Sequence, residues 1–245
     1  MSRATVTSAT ISADPASSSR ALAILGMHRS GTSALAGTLR ACGVYFGDVL
    51  DQGIKHNPKG LQEAPSVLFM QEDLLNKSGG AWHDPPAQIE WQPLHKSVRD
   101  LFIESRVGRP YWAFKDPRTL LTLEGWIDVL PDLECVGIFR HPAEVAMSIH
   151  VRNGFPLEKC AEIWRAYNSR LLHFHHTRGI PIIEFVGDQA TMEASLRSVI
   201  ERLGLIVPSA SEGFYDARMK HQDRPEVPLT DDIRDLYQDL RSSTI

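Results

Sequence analysis

Short apolar runs alternate with stretches of helical periodicity along most of the chain. Ala21-Leu22-Ala23-Ile24-Leu25 is a continuous apolar run ending at Gly26, the pattern of a strand buried on both faces of a parallel sheet. After a short turn, Leu35, Leu39 and Cys42 recur at helical spacing, so the segment reads as strand, glycine-containing loop, helix. The same unit returns. A helix starts near Pro65, a residue suited to the first helical position, and carries Val67, Leu68, Leu74 and Leu75. Residues 111–114 read as a strand ending at Lys115, followed by a helix with Leu120, Leu121, Leu123 and Trp126. Residues 135–139 form another buried strand and 142–150 the helix after it. A longer helix covers about 157–177, residues 181–186 are strand-like, and 192–203 and 230–241 are helical. The stretch GGAWHDPPAQIEWQPLHKS reads as a long Pro-rich loop. Repeated strand and helix units predict a single-domain α/β fold: a three-layer, P-loop-like parallel sheet flanked by helices, with ligands bound beyond the C-terminal ends of the strands.

Composition adds boundaries to this picture. Residues 1–20 are rich in Ser, Thr and Ala and cannot offset the entropy of ordering, so they read as a flexible tail ahead of a folded domain over 21–245. Lys plus Arg is 26 and Asp plus Glu is 30, a net charge of −4 without a long single-sign block, which argues against a nucleic-acid binder. No apolar run approaches the roughly 18 residues of a membrane span, and no leader pattern opens the chain, so no membrane partner and a cytoplasmic location are expected. Cys42, Cys135 and Cys160 are odd in number and lack CxxC spacing, against a disulfide framework or a zinc site. His173, His175 and His176 cluster near a helix end without further ligands at metal-binding spacing, so no metal is expected and they read as a solvated helix end.

Two motifs carry chemistry. Gly26-Met27-His28-Arg29-Ser30-Gly31-Thr32-Ser33 has the paired glycines of a phosphate loop between a strand and a helix, where backbone N–H groups and the helix N-terminus make an anion site. Thr32 stands where a nucleoside-triphosphate loop has its lysine, while Arg29 lies inside the loop, where its fork fits two oxygens of a tetrahedral group. In Phe139-Arg140-His141-Pro142 the arginine leaves a strand, and Ser148 follows eight positions later on the next helix. An Arg at a strand end and a hydroxyl about two turns into the following helix can converge on one phosphate. That convergence requires residues 26–33 and 140–148 to lie on one side of the molecule.

The loop resembles the 5′-phosphosulfate loop of sulfotransferases that use 3′-phosphoadenosine 5′-phosphosulfate (PAPS). The likeness is to the carbohydrate and tyrosylprotein branch, where Arg-Ser-Gly-Thr replaces the Lys-Ser-Gly-Thr of cytosolic members. Arg140 with Ser148 is similar to that family's 3′-phosphate motif, and the resemblance covers about residues 21–225 in order. It implies that Arg29, Ser30, Gly31, Thr32 and Ser33 hold the phosphosulfate and that Arg140 and Ser148 hold the 3′-phosphate. Lys115 in Phe114-Lys115-Asp116-Pro117-Arg118 resembles the active-site lysine, assigned with Arg29 to stabilising transferred charge. Cytosolic members carry a histidine base two residues beyond that lysine, where this chain has Pro117. Asn57-Pro58-Lys59-Gly60-Leu61-Gln62-Glu63 resembles the segment with the glutamate base of the tyrosylprotein branch, which makes Glu63 the expected base. Asp116 is a second candidate base, or an ion-pair orienter between Lys115 and Arg118. Residues 214–221 resemble, loosely, a C-terminal loop that adds Lys220 near the 3′-phosphate.

The implied reaction is metal-independent transfer of a sulfuryl group from PAPS to a hydroxyl of a carbohydrate, small natural product or tyrosyl acceptor, with 3′-phosphoadenosine 5′-phosphate (PAP) released. Trp82, His83 and Trp91 in the Pro-rich loop stack on an acceptor or pack in the core; both readings stand at this stage. A P-loop kinase of a small hydroxylated metabolite and a non-catalytic nucleotide-binding module are the other readings, the first needing a lysine and a magnesium partner that the motifs do not supply.

Overall fold

The apolar runs become strands because the sheet they build is covered on both faces. The computed structural model describes residues 19–53, 60–206 and 226–245. Strands β1 (Arg20–Leu25), β2 (Tyr111–Lys115), β3 (Glu134–Arg140) and β4 (Ile182–Phe185) form a four-stranded parallel sheet in the order β2-β1-β3-β4. Along β1, Ala21, Ala23 and Leu25 enter one apolar cluster while Leu22 and Ile24 enter the other. That division across the pleat accounts for a run with no polar position.

Helices make the outer layers. One face is covered by α1 (Thr32–Ala41) and α7 (Gln189–Arg202). The other holds α2 (Pro65–Lys77), α4 (Thr119–Ile127), α5 (Pro142–Asn153), α6 (Leu157–Arg178) and α8 (Asp231–Ser242), packed around Trp126, Trp164 and Tyr167. The architecture is thus the single-domain, three-layer α/β sheet expected. Helix α3 (Pro93–Glu104) packs beside α2.

Helix α3 corrects the reading of a long loop through residue 97. The loop ends at Gln92, whose side chain takes part in a capping box with His95, and Pro93 stands at the first helical position. There its missing N–H costs nothing, so this proline starts a helix rather than breaking one. Two boundaries also move. Helix α7 opens at Gln189, three residues early, because Asp188 accepts a hydrogen bond from the Thr191 N–H at 2.9 Å. Helix α5 runs past residue 150 to Asn153 and stops at Gly154, whose φ of 71° ends it.

Strand β1 opens at Arg20, which is ion-paired to Glu134 at 2.7 Å. Residues 1–18, the motif positions Asn57, Pro58 and Lys59, and the segment around Lys220 lie outside the described residues. Among the described residues no helix is long and apolar enough to cross a membrane.

Candidate active site

Parallel pairing brings the C-terminal ends of β1, β2 and β3 to one edge of the sheet, and the candidate residues leave the strands there. A Cβ on Gly26 would lie 2.3 Å from the Ile138 carbonyl oxygen, so only glycine lets the loop turn this close to β3. Gly31 has φ 90°, and a Cβ there would meet the Phe185 ring at 2.3 Å. It is also the N-cap of α1 and contributes no capping side chain, which leaves first-turn N–H groups for an anion. Ser30 is wholly buried, and its Oγ has no hydrogen-bond partner among the described residues. Arg29 itself sits at φ 69°, a left-handed backbone that costs a non-glycine about 1–2 kcal/mol.

The two anion stretches meet. Arg29 Nε donates to Ser148 Oγ at 2.8 Å, and Arg140 Nη1 reaches the Arg29 carbonyl at 3.5 Å. Arg140 is held in turn by Glu144 at 2.7 Å, while Trp164 Nε1 donates to the Arg140 carbonyl at 2.9 Å. Burial, followed by Arg152 and Arg140, lowers the Arg29 guanidinium to about 10, so it remains a cation at neutral pH.

Lys115 ends β2 beneath this loop. Its Nζ lies 2.7 Å from Glu63 Oε1 and 3.3 Å from Ser33 Oγ, with Lys115 only 2% and Glu63 only 4% exposed. The segment carrying Glu63 is pinned from two sides. Gln62 N–H donates to the Leu50 carbonyl and Leu50 N–H to the Glu63 carbonyl, each at 2.9 Å, and Ser33 Oγ donates to the Leu61 carbonyl at 3.0 Å. Gln62 takes a left-handed φ of 58°, so both non-glycine positive φ angles among the described residues fall beside this site. Burial pushes the Glu63 carboxyl up, against the opposing pull of the Lys115 and Arg118 cations. Asp116, the second candidate base, is fully buried and accepts from the Arg118 N–H at 2.7 Å and from Arg118 Nη1 at 3.1 and 3.2 Å. That engagement gives it the geometry of an orienter.

The tryptophans part company. Trp91 packs across Trp126 with ring centroids 6.2 Å apart and so close to Gly125 that a Cβ there would clash with it at 2.2 Å. It is half-buried and packs against the core there. Trp82 instead faces His28, with ring centroids 4.7 Å apart, and Phe155 at 6.2 Å, while Tyr167 Oη donates to the Trp82 carbonyl at 3.0 Å. The Arg152 guanidinium lies 5.1 Å from the Trp82 ring. His28 Nε2 and His83 Nδ1 are shut from solvent without a hydrogen-bond partner among the described residues. Enclosure, and then Arg118, Arg152, Lys115 and Arg29, hold His28 well below the usual imidazole range, so it is neutral at pH 7. His173 and His176 are exposed, and among the described residues no group of His, Cys, Asp and Glu is placed to hold a metal.

Sequence reasoning assigned no role to His28, Arg152 or Tyr167. For Arg152 the signal was present: it follows Ser148 by four residues on one helix, and so shares its face. For Tyr167 there was none, since α6 reaches the loop carrying Trp82 only through the tertiary fold.

No protein-family model and no curated protein matches the chain. Among solved structures, the chain is similar to the sulfotransferase domain of the Synechococcus PCC 7002 olefin synthase, with a TM-score of 0.50 and 18% identity over 84% of this chain and 79% of that one. Two further likenesses are to the sulfotransferase STF1 from Mycobacterium tuberculosis H37Rv and to TT1252 from Thermus thermophilus. For STF1 the TM-score is 0.44 at 14% identity, covering 91% of this chain and 77% of that one. For TT1252 it is 0.42 at 17% identity, covering 76% and 98%. At 18% identity the first likeness is one of fold: the chain has the layered fold of a sulfotransferase domain.

Proposed function

We propose that the chain transfers a sulfuryl group from PAPS to an acceptor hydroxyl, with Glu63 as base. The observation that carries this reading is the buried Glu63–Lys115 ion pair, whose ammonium also reaches Ser33 of the phosphate loop. A carboxylate and a cation are thereby fixed against an anion cradle, on the edge where Arg29, Arg140 and Ser148 meet.

The residues present fit the donor. The orphaned Ser30 hydroxyl and the uncapped start of α1 suit the 5′-phosphosulfate, and Arg140 with Ser148 suits the 3′-phosphate. In the transfer the acceptor oxygen forms a bond to sulfur as the bond from sulfur to the 5′-phosphate oxygen breaks. The leaving electron pair stays on PAP, and the acceptor proton passes to Glu63. Lys115 and Arg29 neutralise charge on the bridging and equatorial oxygens. A sulfuryl group carries less charge than a γ-phosphoryl, so two or three cations suffice without a metal.

Incubation with PAPS and a panel of hydroxylated acceptors, followed by mass spectrometry, should reveal a gain of SO₃ that persists in EDTA. PAP should raise the melting temperature, whereas ATP with Mg²⁺ should not. Activity lost on chelation and restored by Mg²⁺, or stabilisation by ATP alone, would favour the kinase reading instead.

A further inference from the structure

The cations of this site are not equally provided for. Lys115 has Glu63, Arg118 has Asp116 and Arg140 has Glu144, each within 4 Å. Arg152 has no carboxylate within that distance among the described residues; its Nε donates only to the side-chain oxygen of the adjacent Asn153, at 2.7 Å. It lies on α5 one turn beyond Ser148, partly buried, with its guanidinium over the Trp82 ring. Burial and the neighbouring Arg118 both lower its affinity for its proton. A partly desolvated cation without a counterion is costly, and an incoming anion removes that cost. Around it are the apolar faces of Trp82 and Phe155 and the unpartnered His28 Nε2.

We infer that the acceptor carries an anionic group in addition to its hydroxyl, and that Arg152 binds that anion beside an apolar or aryl portion stacked on Trp82. The inference deepens the sulfotransferase reading in naming the acceptor class, but the anion site itself stands on Arg152 and its surroundings. A guanidinium over an indole face keeps its N–H fork for a carboxylate in the guanidinium's own plane, so charge and stacking act on the same ligand. Neutral carbohydrate would leave the cation as exposed to cost as before.

The test compares acids with their own amides: 4-hydroxyphenylacetate against 4-hydroxyphenylacetamide, and 3-hydroxyoctanoate against 3-hydroxyoctanamide. With PAPS, kcat/KM should favour the acid by about tenfold or more. In Arg152→Gln the preference should collapse towards one, mainly through KM of the acid, and Arg152→Lys should restore part of it. Calorimetric titration of the same acids into the PAP-bound protein reads the anion site without turnover: binding should be present in the wild type and weakened at least tenfold in Arg152→Gln. Amides as good as acids, an acid preference unchanged in Arg152→Gln, or no binding of either acid at millimolar concentration overturns the inference. So does a weakening of PAP binding in Arg152→Gln with the acid-to-amide ratio untouched, which would place Arg152 in the nucleotide site. If no SO₃ transfer is seen with any acceptor while acid binding to the protein still depends on Arg152, the transfer reading fails and the anion site survives.

Discussion

Replacing Lys115 by Met removes the ammonium while retaining an unbranched chain of similar length in the core. The Glu63 carboxylate, 4% exposed, then loses its ion-pair partner at 2.7 Å, and burial and Asp116 raise its pKa against the pull of Arg118 alone. An uncompensated buried carboxylate costs several kcal/mol, but protonation sets a ceiling on that cost. From the ordinary glutamate value of 4.5 to pH 7 is 2.5 units; at about 1.36 kcal/mol each, the loss at pH 7 is at most about 3.4 kcal/mol. The sign follows from proton binding. The folded variant holds a proton that the unfolded chain releases above pH 4.5, so stability falls as pH rises, by about 1.4 kcal/mol per unit. In the wild type the ammonium offsets part of this rise, so the difference between the two proteins should be small at pH 5 and larger near pH 7. Urea unfolding midpoints at pH 5, 6 and 7 measure it, and the double variant Glu63→Gln/Lys115→Met should abolish the pH dependence of the difference. A loss of equal size at pH 5 and pH 7, or a double variant as unstable as Lys115→Met at pH 7, would refute the account of the pair.

Glu63→Gln should lower sulfuryl-transfer turnover by about 10² to 10⁴ with PAP affinity changed little; steady-state kinetics beside PAP titration reads both, and undiminished turnover removes Glu63 as base. Gly31→Ala puts a Cβ at φ 90° and 2.3 Å from Phe185, so it should cost at least about 1–2 kcal/mol, a fall of roughly 2–8 °C in melting temperature. His28 is neutral in the fold, whereas the unfolded chain binds a proton below about 6.5, so stability is lost as pH falls through that value, by up to about 1.4 kcal/mol per unit. His28→Gln should flatten the decline between pH 7 and 5.5 in thermal melts; an identical slope in both proteins would show that His28 takes up its proton when folded.

Sequence by itself determined the layers and the outline of the site. Continuous apolar runs such as residues 21–25 fit a strand covered on both faces, and the glycine spacing between Gly26 and Ser33 marks that loop as a candidate anion site. Glu63, Lys115, Arg29, Arg140 and Ser148 were legible as candidates because each stands at an element boundary or inside a local motif. What joined them was beyond local pattern. The order β2-β1-β3-β4 sets the ends of three strands side by side, and through it Glu63 comes within 2.7 Å of a lysine 52 residues away. The sequence could not separate Trp82 from Trp91, since their difference is the neighbour each meets, His28 and Phe155 for one and Gly125 and Trp126 for the other. Nor could composition reveal that Arg152 lacks a carboxylate among the described residues where Arg118 and Arg140 have one. Ion pairing is decided by which side chains the packed helices and loops bring within 4 Å, and that distance exists only in the folded chain.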